Sequence, residues 1–99
     1  MTDDLGEPLF MIAQRRVGMR RAVQVLTFLA AWDRAREALG AAELTLVEYR
    51  EWWRVPERSA YRDQARFREA FPDELTPDRL LDRVAASGRR DELLALRVA

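Results

Sequence analysis

The stretch Thr45–Phe71, TLVEYREWWRVPERSAYRDQARFREAF, decides the fold. Thr45 followed by Glu48 is a capping box: the threonine oxygen accepts from the Glu48 amide, and the carboxylate reaches back to the amide of Thr45. A helix from Leu46 to about Arg54 follows. Leu46, Tyr49 and Trp53 recur at i, i+3 and i+7 and form its inner face. Val55-Pro56 breaks it, because proline disfavours a helical residue before it and is tolerated where a helix begins. A second helix over Glu57–Ala70 carries Ala60, Gln64, Phe67 and Phe71 in one row, and Pro72 ends it.

Outward from this centre the signals remain helical. From Arg20 to Leu39, one apolar row is Val23, Leu26, Ala30 with Asp33, and another is Phe28, Ala31, Ala35 and Leu39; Leu29 and Trp32 lie beside it. Gly40 is a natural stop. Leu9–Ile12 begins a helix or forms a short strand, and the pattern leaves both open. Gly18 either interrupts the helical signal or permits a close contact. Downstream, Thr76-Pro77 repeats the start signal. A helix follows to Ala86 with Leu80, Leu81, Val84 and Ala85 inside, and Gly88 stops it. Asp91–Val98 is a last short helix with Leu93, Leu94 and Leu96. No segment alternates with period two long enough to make a strand, and no repeat or low-complexity linker is present. The expectation is one all-α domain over residues 1–99, with a long helix preceding the central pair.

Composition narrows the chemistry. The 99 residues contain 17 arginines and 17 acids, with no lysine, histidine or cysteine. Disulfides, thiolate chemistry, Ser-His-Asp catalysis and Cys/His zinc sites are therefore excluded. No spaced Asp/Glu pair stands out from ordinary surface acids, so the chain is expected to be neither an enzyme nor a metal or cofactor protein. Arginine-only basicity with abundant alanine fits GC-rich coding, and the arginine count alone says little. Its distribution says more. Met1–Gln14 holds three acids and no base, whereas Arg15–Gly40 holds six arginines against two acids. Residues 41–72 balance six against six, and residues 73–99 hold five arginines against six acids. A net charge of zero can thus conceal a basic face. The acidic start argues against a signal peptide, and no apolar run is long enough to span a membrane. A cytoplasmic location is the expectation.

The order of features between Thr45 and Phe71 resembles the helix-turn-helix of small bacterial DNA-binding regulators. There a hydrophobic residue (Val55 here) anchors the turn, and a serine or threonine (Ser59) precedes an aromatic and an arginine (Tyr61, Arg62). The resemblance implies that Val55, Ala60 and Phe67 are internal anchors. It also implies that Arg58, Ser59, Tyr61 and Arg62 face outward at the start of a reading helix, 57–70. Pro56-Glu57 departs from the pattern, because an acid at the tip of a reading helix repels phosphate. The residues support the outward face independently. Arg58, Arg62 and Arg66 recur at i, i+4 and i+8. Arg66 has acids at helical spacing, Asp63 and Glu69, while Arg58 and Arg62 have none. Trp52 and Trp53 read as packing residues rather than a base-stacking platform. Tyr49 and Tyr61 read as half-buried.

Two functions follow. In one, the chain regulates transcription by binding double-stranded DNA as a homodimer or larger homo-oligomer. Arg58, Ser59, Tyr61, Arg62 and Arg66 then serve the major groove, and Arg50 and Arg54 the backbone. The Leu9–Ile12 run and the Arg20–Leu39 helix would supply the self-contact. In the other, the fold binds a protein partner in an adaptor or antitoxin-like role without reading DNA, which zero net charge and Glu57 favour. Arg15, Arg16, Arg20 and Arg21 form a second basic patch, suited to DNA backbone or to an acidic partner.

Overall fold

The structure, a computed structural model, describes residues 6–96. It is all-helical: α1 Leu9–Val17, α2 Met19–Leu39, α3 Leu46–Trp53, α4 Glu57–Ala70, α5 Pro77–Ala86 and α6 Asp91–Leu94. Leu9–Ile12, left open by its pattern, is helical. Gly18, at φ 85° and ψ 166°, separates α1 from α2. A side chain rarely adopts that conformation, so this glycine interrupts the helix.

Helix α2 is the spine. Phe28 to Asp33 are six consecutive buried residues, more than one full turn, so the middle of α2 is enclosed on every side. The other five helices all pack against it. This arrangement corrects the two rows drawn from periodicity. Val23 and Leu39 are 51% and 45% exposed, because the helix emerges from its neighbours at both ends. Ala85 is exposed as well, while Leu80, Leu81 and Val84 are buried as expected.

Aromatic rings join α2 to the central pair. The Trp32 and Tyr49 rings stack with centroids 5.1 Å apart, and Phe28 meets Tyr49 edge-on at 5.3 Å. Phe28 lies 6.4 Å from Phe67, which is fully buried, and Phe67 in turn packs on Phe71. Helix α5 is fastened by a buried carboxylate. Asp78 Oδ1 accepts from Trp32 Nε1 at 2.8 Å, Oδ2 accepts from the Leu44 amide at 3.3 Å, and Arg36 stands 3.5 Å away. Asp33, the polar member of an otherwise apolar row, is buried against Arg90 at 3.0 Å. The hydrogen bonds that Arg90 donates to Asp33 and Glu37 raise the pKa of its guanidinium further.

Two further expectations change. Leu9 and Ile12 are buried and Phe10 packs against the core, so only Met11 of that run is exposed. The apolar surface assigned to self-association belongs instead to the chain's own interior. The last helix stops at Leu94, which is exposed, while Leu93 is buried. Arg34 Nη2 donates to the carbonyls of Leu94 and Leu96 and so caps that end. Val98 lies outside the described residues. No helix among the described residues is long and apolar enough to cross a membrane.

Candidate nucleic-acid interface

The α3–α4 unit is built by local rules. The Glu48 amide donates to Thr45 Oγ1 at 3.1 Å and the Thr45 amide to Glu48 Oε1 at 2.8 Å, which completes the capping box. Helix α3 ends at Arg54, whose φ of 56° and ψ of 47° lie in the left-handed region. The amides of Arg54 and Val55 both donate to the Arg50 carbonyl. Glycine usually holds such a position, so an arginine there is strained. Val55 packs against the core, and the Pro56 carbonyl accepts from the Ala60 amide at 3.0 Å to open α4. Three residues therefore turn the chain between the two helices. Glu57 sits in the first turn of α4, where a negative charge favours the helix and disfavours phosphate.

Helix α4 divides cleanly into faces. Ala60, Phe67 and Ala70 point inward and are buried. Arg58, Tyr61, Arg62, Ala65, Arg68 and Glu69 are exposed along the opposite side. Tyr61, expected half-buried, is 56% exposed. Arg58 and Arg54 are exposed and have no ion pair or side-chain hydrogen bond among the described residues. Arg62 is different: its Nε lies 3.7 Å from Oδ1 of Asp63. Counting acids only at i+3 and i+4 missed this pair, because Nε lies near the backbone, where an adjacent side chain can meet it. Arg66 is half-buried, and its Nη1 donates to Gln24 Oε1 of α2 at 2.5 Å. Its local acids, Asp63 and Glu69, are not its bonding partners. Ser59 is half-buried on the flank. Arg50 is also half-buried, with Nε donating to the Val55 carbonyl at 3.4 Å, so it braces the connection. The stripe of seven residues read from the sequence thus resolves into an outward set, Arg54, Arg58, Tyr61 and Arg62, and a flanking set, Arg50, Ser59 and Arg66.

The tryptophans separate as well. Trp53 is half-buried and donates Nε1 to the Ala31 carbonyl at 2.8 Å. Trp52, expected to pack, is 47% exposed, because neighbouring helical positions lie about 100° apart and only one can face α2. Between α2, α3 and α4 runs an open groove lined by Phe28, Tyr49, Trp53 and Asp63. Burial, then the Asp63 charge, pushes the Tyr49 hydroxyl up to about 12, so it stays protonated. Burial also raises the Asp63 carboxyl, against the opposing pull of Arg62 and Arg66.

The second basic patch is partly committed. Arg15 pairs with Glu7 at 2.7 Å, and Arg16 Nη1 donates to the Ala70 carbonyl at 2.9 Å, at the C-terminus of α4. Arg21 pairs with Glu69 at 3.4 Å, with both side chains more than half exposed. The sequence carried no sign that this patch and α4 meet. Comparison of the chain with protein-family models, curated proteins and solved structures gives no match.

Proposed function

We propose that this chain is a DNA-binding transcriptional regulator of helix-turn-helix type, acting in the cytoplasm without enzymatic activity, with α4 as its reading helix. One observation carries the reading: the outward face of α4 presents Arg58 and Arg62 beside exposed Tyr61, turned away from the core, while Arg58 has no acid partner among the described residues. Arginine forks match guanine edges and phosphate alike. Arg58, Tyr61 and Arg62 would enter the major groove, with Ser59 and Arg66 on its flank. Arg54 and Arg50 would meet the backbone. A 14-residue reading helix offers limited contact, so pairing of two copies belongs to the proposal. Leu9–Ile12 is not the pairing surface, since two of its four residues are buried and a third is packed.

The test is a titration of wild type and Glu57→Gln against random duplex and the best selected site. Wild type should bind both at low salt. Glu57→Gln should bind more tightly, because it removes a negative charge beside phosphate. Absence of wild-type binding at low salt overturns the proposal. A protein partner then becomes the better reading, favoured by Trp52, 47% exposed on α3 with exposed Val47 on the same helix, since tryptophan is enriched among interface anchors.

A further inference from the structure

Helices α2 and α4 meet along a seam tied by two side-chain pairs. Arg66 bonds to Gln24 and Glu69 to Arg21. Moving three residues up α4 therefore moves three residues down α2, and the two helices run antiparallel. Glu69 lies on the same outward face of α4 as Arg58 and Arg62, three turns along from Arg58. Arg20 is one turn from Gln24 on α2, is exposed, and has no ion pair or side-chain hydrogen bond among the described residues. Arg58 and Arg62 thus stand on the outward face of α4 at one end of the helix pair, and Arg20 and Arg21 on α2 at the other. Glu69 is an acid on the outward face at that far end, and among the described residues its partner is Arg21, in an exposed pair.

From this geometry we infer that Arg20 and Arg21 form a second phosphate clamp for the same duplex, with Glu69 as its electrostatic brake. The inference rests on the reading of α4 as a DNA-binding helix. Arg58 and Glu69 are eleven positions apart, about 16 Å along the axis at 1.5 Å per residue. The major groove is about 12 Å wide. A helix that places Arg58 against base edges therefore carries its far end to the groove margin, where the phosphates stand. The Arg21–Glu69 pair is surface-exposed and weak, so a phosphate can displace the carboxylate. Arg15 and Arg16 are not part of the clamp: one is paired with Glu7 and the other caps α4.

The experiment measures affinity against salt concentration for random and selected duplex, using wild type, the double variant Arg20→Ala/Arg21→Ala, Glu69→Gln, and Arg79→Ala. Arg79 is an exposed arginine on α5, away from the seam, and serves as control. Each lost phosphate contact should make the logarithmic salt slope shallower by about 0.9. Between about 50 and about 200 mM salt, the double variant should then lose about twelvefold less affinity than wild type. It should bind both duplexes more weakly by the same factor at low salt. Glu69→Gln should bind both more tightly, a gain that a misfolded variant cannot produce. Arg79→Ala should match wild type. Wild-type binding with an unchanged slope in the double variant overturns the clamp and leaves the α4 reading standing. No wild-type binding at low salt overturns both.

Discussion

Arginine does opposite work in two regions of this molecule. Around the second half of α2, toward α5 and α6, arginines are structural. Arg36, only 13% exposed in its side chain, lies between Asp78 and Asp82, and Arg90 joins Asp33 to Glu37. Along α4 and its approach, Arg54 and Arg58 reach into solvent with no acid partner among the described residues, and Arg62 has a loose neighbour, Asp63, at 3.7 Å. The acids are as numerous as the arginines, and two of them, Asp33 and Asp78, are buried where they bridge helices of the core. Net charge therefore reports neither region. What separates them is burial: a buried charge must be paired, whereas an exposed one stays soluble alone.

The largest effect that can break this contrast is at the buried end. Asp78→Ala leaves the Trp32 indole and the Leu44 amide without their acceptor and takes one of two carboxylates from Arg36, and should destabilise by about 3–5 kcal/mol. Phe67→Ala, at a fully buried ring, should cost about as much, 3–5 kcal/mol. Arg58→Ala, by contrast, should change stability by no more than about 0.5 kcal/mol in denaturant titration. Equal losses for Asp78→Ala and Arg58→Ala would erase the distinction.

Next in size is the functional end. Arg62→Ala should weaken binding to the selected site by about 1–3 kcal/mol and leave thermal stability almost unchanged. A similar loss on random duplex would move Arg62 from base contact to backbone contact. Arg54→Gly sharpens the contrast from another side. Glycine relieves the left-handed strain, so stability should rise by about 0.5–1 kcal/mol while affinity for every duplex falls. A variant both more stable and equally tight would show that the Arg54 side chain serves no ligand.

The smallest effect concerns Asp63, where the two kinds of environment meet. Its pKa is raised in the folded state, mainly by burial. The ionised carboxylate therefore costs stability at neutral pH, and the cost disappears as pH falls through the folded value toward the unfolded one. Asp63→Asn should be slightly more stable than wild type at neutral pH, with the difference closing in acid. A constant difference across that range would mean that the charge is not its source.

Elements governed by local rules were legible along the chain. The capping box at Thr45, the break at Pro56, the Thr76-Pro77 start and the stop at Gly40 all depend on neighbours within a few residues, and all lie where read. So does the inward row of α4, because Ala60 and Phe67 face whatever α4 packs on. Tertiary structure alone decided which apolar residues are enclosed and which charges are answered. Val23 is exposed because α2 emerges from its neighbours there, Trp52 because Trp53 is the member of the pair that meets α2, and Leu9 and Ile12 are buried because α1 folds back onto the core. Arg21 meets Glu69 across 48 positions, and Arg66 meets Gln24 across 42. Such pairs depend on how antiparallel helices are placed side by side, and no spacing along one helix encodes that placement.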